Sequence, residues 1–165
     1  MYPAEGFAGG PASANTMYAG AVLAGEDIPV GRFVSVGGSS GINGAAAPAR
    51  AFAGGNAVGI ASRIRPGAIT DITQEASNII NRNMPLEITV SGDLYAVVDN
   101  PDSVLAGQML FYRVSESSEG SGDAGSVRAA AKGAAIADFV ESAWHVVSVA
   151  DAGSGLVKAS TVRTV

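Results

Sequence analysis

The stretch LEITVSGDLYAVV, residues 86–98, indicates the fold class of this chain. Two runs rich in apolar and β-branched residues, 86–90 and 94–98, flank Ser91-Gly92-Asp93. A Gly-Asp pair readily adopts the positive φ angles that a tight turn between antiparallel strands requires. The stretch therefore predicts a β-hairpin, and it is the clearest strand signal in the chain.

Similar strand patterns, separated by turn residues, occur along the rest of the chain. They predict strands at 28–36, 58–65, 109–114, 139–149 and 156–165. Strands that alternate with turns about every 8–12 residues are typical of β-sandwiches and β-barrels. Residues 109–114 are apolar on both faces except for Arg113, so this strand is expected to be covered on both sides. The predicted class is mainly β, a small β-barrel or a jelly-roll-like sandwich.

Two segments depart from the strand pattern. Residues 71–82 place Ala76, Ile79 and Ile80 at helical spacing, and Asp71 or Thr73 can cap the first turn. This pattern predicts one short helix. Residues 126–137 are rich in alanine but contain a glycine, so their pattern leaves helix and strand both open.

The N-terminal stretch and one internal stretch lack any helical or alternating period. Residues 1–19 are rich in Gly and Pro and predict an extended arm, followed by a single β domain at 20–165. Residues 37–56 are a run of Gly, Ala and Ser in which Arg50 is the one charge. Loops of this length inside a compact domain are uncommon and often functional. The second stretch is therefore predicted to be a long contact loop.

The composition is unusually poor in charge. Charged residues make up 15% of the chain, against about 25% in ordinary domains. Two interpretations fit: a domain that is simply rich in small residues, or a surface partly covered by other subunits, because interface cores are depleted in charge. The net charge of −5 and the scattered basic residues argue against nucleic-acid binding. No apolar run is long enough to predict a membrane span.

No motif in the sequence predicts catalysis. Residues 120–125 match the G-x-G-x-x-G pattern, but residues 115–119 separate them from the preceding strand, so a flexible loop is the expected structure. His145 is the single histidine, and one histidine cannot by itself form a serine triad or a multi-histidine metal site. Trp144 is expected to pack in a core or an interface. We predict no enzyme activity and no catalytic, cofactor-binding or metal-binding residues.

Several segments resemble the cement, or head decoration, proteins of tailed bacteriophages. They are the Val-Leu-Ala-Gly steps at 22–25 and 104–107, AVGIAS at 57–62, and FVESAWHVVSVADAGSGLVKASTVRTV at 139–165. In such proteins a Gly-bounded corner leads into a strand. The chain often closes with a Ser-Ala step, an Ala-Gly turn and a last strand, matched here by Ser142-Ala143 and Ala152-Gly153.

The resemblance implies a non-enzymatic virion protein that is made in the bacterial host cytoplasm. Homotrimers would sit on the outer capsid surface and hold neighbouring major capsid proteins together. No cofactor, nucleic acid or membrane is implied. The alternative is a carbohydrate-binding or adhesive β-module on a virion or cell surface, although aromatic residues make up only 6% of the chain.

The candidate capsid-contact residues lie in the arm and in the long loop. Ordering a residue costs about 1–2 kcal/mol, so an arm without a core of its own is either disordered or laid on another surface. We expect Tyr2, Phe7 and Tyr18 to act as anchors of the arm. Arg50 and Phe52 are the corresponding candidates in the 37–56 loop.

Overall fold

The computed structural model describes residues 9, 18–36, 46–48, 59–62, 79–114, 125–151 and 153–161. These residues form twelve strands and one short 3-10 helix at Pro101–Ser103. The strands are β1 Tyr18–Leu23, β2 Ile28–Pro29, β3 Phe33–Val36, β4 Ala46–Pro48, β5 Gly59–Ser62, β6 Ile79–Ile80, β7 Pro85–Ser91, β8 Asp93–Val97, β9 Met109–Arg113, β10 Val127–Ala130, β11 Phe139–Asp151 and β12 Leu156–Ser160. The mainly β class predicted from the sequence is confirmed.

The strands form two five-stranded sheets and a small ribbon. The first sheet has the order β1-β7-β5-β3-β4, and the second has the order β10-β9-β11-β12-β8. Every neighbouring pair is antiparallel. The ribbon consists of β2 and β6, with Ile28 opposite Ile80.

The second sheet closes on itself at one end to form a small barrel. Its two outermost strands are β8 and β10, and the residues that follow β8 bond to β10. The Asp99 amide donates to the Val127 carbonyl at 2.8 Å. The Asn100 side chain accepts from the Ala129 amide and donates to the Ala129 carbonyl, both at 2.9 Å. These bonds satisfy backbone groups that an open sheet edge would leave exposed.

The interior of this barrel is the main hydrophobic core. All five strands of the second sheet contribute buried apolar residues: Leu94, Ala96, Leu110, Tyr112, Val127, Ala129, Trp144, Val146, Val157 and Ala159, joined by Val98 and Val104. Phe33 and Ile60 of the first sheet belong to the same core. The first sheet therefore packs against the barrel.

The opposite face of the first sheet is covered by the ribbon. Val34, Ala61, Leu86 and Ile88 on that face share a second buried cluster with Ile28 and Ile80 of the ribbon, together with Ala24 and Val30. The first sheet is thus buried on both faces, and the molecule has three layers: barrel, sheet and ribbon.

The hairpin predicted at 86–98 is wrong in its pairing, although both of its strands exist. Strand β7 joins the first sheet and β8 joins the second. Gly92 lies between them with φ of 111°. Its amide donates to the Thr161 hydroxyl at 2.9 Å, and its carbonyl accepts from the Thr161 amide at 3.1 Å. The turn is therefore a corner between two sheets, because each strand buries more of its apolar face beside a distant partner.

The short helix predicted at 71–82 is also wrong where the structure describes it. Ile79 and Ile80 form β6, and a turn follows in which the Met84 amide donates to the Asn81 carbonyl at 3.0 Å. Residues 71–78 lie outside the described part of the chain. Ile80 is buried in the ribbon cluster, so long-range packing outweighs the local helical spacing.

Two further boundaries differ from the predictions. The single strand expected at 28–36 is divided into β2 and β3 at Gly31, where φ is 85°. The loop expected at 37–56 contains β4, which pairs with β3, and its other residues lie outside the described part. The alanine-rich segment after residue 125 contains strand β10.

The remaining strand predictions are confirmed in their central residues. Strand β5 lies within 58–65, and β12 lies within 156–165. Strand β11 covers 139–149 and continues to Asp151. Four of the five residues of β9 are buried, as expected for a strand covered on both sides.

Candidate contact surfaces

The structure describes only one of the five contact residues predicted from the sequence. Tyr18 is the first residue of β1, opposite Ser91, with an irregularity in the register between Tyr18 and Ala19. Tyr2, Phe7, Arg50 and Phe52 lie outside the described residues. Their role in contacts stays a prediction.

One described residue ties the predicted arm to the body of the molecule. The Gly9 amide donates to the Tyr95 carbonyl of β8 at 2.7 Å. Gly9 is buried and has φ of 68°. A Cβ at this position would lie 3.0 Å from the Ala61 carbonyl oxygen and would collide with the Val30 side chain. Gly9 therefore fits where a larger residue would not. The end of the predicted arm at 1–19 also differs from the structure, because strand β1 begins at Tyr18.

Trp144 and His145 are neighbours in strand β11. His145 lies in β11 opposite Ser160 and Met109. Trp144 is 3% exposed and belongs to the barrel core, which agrees with its expected packing role. The described part of the chain contains no group of three or more His, Cys, Asp or Glu side chains placed to hold a metal ion. No helix in that part is both long and apolar enough to cross a bilayer.

Ser142, in the predicted Ser-Ala step, has a clear structural role. Strand β11 is opposite Phe111 at Glu141 and opposite Met109 at His145, so three residues of β11 face one residue of β9. The Ser142 hydroxyl donates to the Leu110 carbonyl at 2.7 Å and accepts from the Trp144 amide at 3.1 Å. The side chain thereby replaces the ladder bonds that the bulge removes.

Large apolar side chains are exposed mainly in two places on the described part of the molecule. The first is the barrel tip, which we define as two segments: residues 97–107 and the described residues of 146–157. Its exposed apolar residues are Val97, Leu105, Val147 and Val149. Leu105 is 67% exposed.

The two segments of the barrel tip are joined by backbone bonds. The Val98 amide donates to the Gly155 carbonyl at 2.9 Å, and Val97 lies opposite Leu156. On the other side, the Gly107 amide donates to the Val146 carbonyl at 2.7 Å. Leu105 is therefore presented on a corner that is anchored to the barrel.

Gln108 fixes the backbone on which Leu105 lies. Its side-chain oxygen accepts from the Leu105 amide at 2.9 Å, and its side-chain nitrogen donates to the Ser103 carbonyl at 3.4 Å. The backbone amide of Gln108 also donates to the Leu105 backbone carbonyl, at 3.3 Å. The corner is thus closed by its own hydrogen bonds.

The formal charges within the two segments of the barrel tip are negative, and Asp99, Asp102 and Asp151 are exposed. Two cations flank these segments: Lys158 lies opposite Ser148, and Arg128 follows Val127, whose carbonyl accepts from the Asp99 amide. The Ser154 hydroxyl and the Gly153 amide donate to the Asp151 carboxylate at 2.7 and 3.0 Å. These bonds, the Ser154 bond most, lower the pKa of Asp151 below its usual value, so it is ionised at neutral pH.

The second exposed apolar group lies at the ribbon end, which we define as residues 23–29 and 79–85. Its members are Leu23, Ile79 and Met84. The two segments are joined where the Ala24 amide donates to the Met84 carbonyl at 2.9 Å. Charges of both signs are present here, because Asp27 accepts from the Arg82 amide at 2.8 Å and the Arg82 side chain is exposed.

The comparisons with known proteins decide the family. A family model described as XM1 gp53 minor capsid protein matches residues 1–161. The chain belongs to this family. Among solved structures, a chain of "The capsid of Myoviridae Phage XM1" is similar, with a TM-score of 0.67 and 14% identity. That match covers 99% of this chain and 94% of the other, and it shows the shared fold. No curated protein matches at a significant level.

This phage minor capsid protein is a structural component of the virion. The resemblance to capsid-associated phage proteins, which was based on short segments of the sequence, is confirmed by a family match over nearly the whole chain. The sequence indicated the corner at 104–107 and the turns beside it, but it carried no signal that Leu105 lies near the β11–β12 hairpin. Only the paired strands bring those segments into one surface.

Proposed function

We propose that this minor capsid protein acts as a cement. It binds the outer surface of the capsid, bridges neighbouring major capsid proteins and stabilises the head through contact area alone. The observation that carries the proposal is the match of residues 1–161 to a minor capsid family. Binding, rather than chemistry, is the activity that a structural virion component needs.

Contact area and avidity explain how such binding would stabilise the head. A stable protein interface buries about 800 Å² on each partner. Each copy that spans two capsid subunits adds contacts that must break before the subunits separate. A homotrimer would engage several subunits at once, and the linked contacts would raise the avidity beyond that of a single contact.

The architecture of the described part supports this role. The closed barrel and the sheet packed against it form a continuous core that includes Phe33, Tyr112 and Trp144. A preorganised binder loses little conformational entropy when it docks, so more of the contact energy appears as affinity. Within the N-terminal stretch, the Gly9 amide is hydrogen-bonded to strand β8. We propose five additional capsid contacts in this stretch and in the 37–56 loop: Tyr2, Phe7, Tyr18, Arg50 and Phe52.

The alternative of a carbohydrate-binding module finds less support. Such a site would stack sugars on exposed aromatic rings. In the part of the chain whose side chains the structure describes, Phe33, Phe111, Tyr112 and Trp144 are buried, and Tyr95 and Phe139 are half-buried. The cement role therefore accounts better for the described surface.

The proposal is tested with heads assembled without this protein. Purified protein is added, and binding is measured by cosedimentation together with the temperature at which the heads break. We expect saturable binding and a higher disruption temperature. Failure to bind, or binding with no gain in head stability, would contradict the cement role.

Two finer parts of the proposal need separate measurements. Native mass spectrometry of the purified protein tests the homotrimer, and a stable monomer at micromolar concentration would contradict it. Labelling of intact decorated heads with an antibody against the protein tests the outer position. Absence of labelling on intact heads, with labelling after disruption, would place the protein inside.

A further inference from the structure

We propose that the barrel tip is the surface through which this protein binds its neighbour in the capsid, and that the partner surface is apolar and bordered by Lys or Arg side chains. The inference rests on the proposed cement function.

The barrel tip exposes several large apolar side chains. Val97, Leu105, Val147 and Val149 are exposed within two joined segments. Leu105 is more exposed than any other large apolar side chain in the described part of the chain. Apolar side chains that are exposed on neighbouring segments gain free energy when a partner covers them, and exposed apolar groups of this kind often mark interfaces.

The charge of the tip selects the partner. Asp99, Asp102 and Asp151 are exposed in the same segments as the apolar residues, and these three carboxylates outnumber the two flanking cations, Lys158 and Arg128. An apolar partner bordered by Lys or Arg would pair with them, whereas an acidic partner would be repelled. At the ribbon end the exposed Arg82 accompanies Asp27, so that surface has no comparable preference.

The tip is also held in a fixed shape. Gln108 bonds both to the Leu105 amide and to the Ser103 carbonyl, and the Val98 and Gly107 amides connect the two segments. A fixed surface loses little entropy on docking. The same bonds make Leu105 a position where a surface substitution leaves the barrel core unchanged.

The experiment measures the affinity of the full-length protein for heads assembled without it, at several NaCl concentrations. The variants are Leu105→Ser, the double variant Asp99→Lys/Asp102→Lys, and the control Met84→Ser, which removes a similarly exposed apolar residue at the ribbon end. Trp144 emission and the thermal midpoint of each variant show whether it is folded. We expect Leu105→Ser and the double variant to bind about 10-fold more weakly, and Met84→Ser to bind within about 2-fold of the wild type.

The wild-type affinity should also fall as NaCl rises from about 0.05 to about 0.5 M. In the double variant that dependence should disappear or reverse, because two of the three carboxylates have become cations. If the wild type binds and the tip variants bind equally well, the inference is overturned while the cement function stands. The same holds if Met84→Ser alone weakens binding, because the ribbon end is then the contact. If the wild type itself does not bind, the cement function fails.

Discussion

The ring of Phe33 lies 5.0 Å from the ring of Tyr112, with 30° between their planes. Phe33 belongs to β3 of the first sheet, and Tyr112 belongs to β9 of the barrel. Both are buried in the same core. This contact joins the two sheets, and its strength should govern how cooperatively the molecule unfolds.

Replacing Phe33 by Ala should therefore destabilise the protein strongly. Removing a buried phenylalanine costs about 3–5 kcal/mol, from lost burial and from the cavity that remains. The measurement is urea unfolding followed by the fluorescence of Trp144, the single tryptophan of the chain. Leu105→Ala serves as the control and should change stability by less than about 0.5 kcal/mol. A loss below about 1 kcal/mol in Phe33→Ala would show that the sheets hold together without this contact.

Two glycines with similar backbone angles offer a matched test of steric fit. Gly155 has φ of 69° and Gly133 has φ of 75°. A Cβ at Gly155 would collide with the Val98 carbonyl oxygen, whereas a Cβ at Gly133 would meet nothing within 4 Å. Gly133→Ala should cost about 1 kcal/mol, from the left-handed backbone alone. Gly155→Ala should cost at least about 2 kcal/mol more, because it also disturbs a packed turn. Equal losses in the two unfolding curves would refute this account of the barrel tip.

The closure of the barrel depends on the side chain of Asn100. Its amide bonds to both backbone groups of Ala129 and also donates to the Ser103 hydroxyl at 2.9 Å. Asn100→Ala should cost about 2–3 kcal/mol, because two part-buried backbone groups lose their partners. Hydrogen exchange should show faster exchange of the Ala129 amide. Ser103→Ala removes the third bond and the 3.3 Å bond from the Ser103 hydroxyl to the Asn100 carbonyl, but it leaves both Ala129 bonds in place and should cost less than about 1 kcal/mol. Unchanged protection of Ala129 in Asn100→Ala would mean that the barrel is closed in another way.

Asp151 should make the stability of the β11–β12 turn depend on pH. Hydrogen bonds from Ser154 and Gly153 lower its pKa in the folded state. The ionised form therefore favours folding at pH above the unfolded value of about 3.9, and this contribution is lost as pH falls through the lowered folded pKa. The carboxyl carbon chemical shift, followed by NMR from about pH 6 to about pH 2, measures that pKa.

Ser154→Ala is the matched variant for this titration. It removes the hydrogen bond that lowers the pKa of Asp151 most, so the midpoint should move upward toward the usual value. The stability difference between wild type and Asp151→Asn should also shrink as pH falls below about 4. An Asp151 midpoint that does not move in Ser154→Ala would show that the hydroxyl is not the cause.

Local pattern predicted much of the strand content and little of its pairing. The apolar run of β9 and the β-branched run of β11 predicted strands correctly, because alternation and side-chain shape are properties of the segment itself. Ser91-Gly92-Asp93 predicted a tight hairpin and is a corner between sheets. Ile79 and Ile80 predicted a helix and form a strand. In both cases a distant partner that buries more apolar surface outweighed the local preference.

The sequence by itself determined that this is a β protein with few charged residues. It also indicated the Val-Leu-Ala-Gly corner at 104–107, which precedes β9 and resembles corners in phage cement proteins. The tertiary structure alone decided that the corner at Leu105 adjoins strand β11, and that the segment holding Asp99 and Asp102 is hydrogen-bonded to the β11–β12 hairpin that holds Asp151. The reason is physical: spacing along the chain specifies which face of a strand is apolar. Which strands lie side by side depends on burial and hydrogen bonding between residues far apart in sequence.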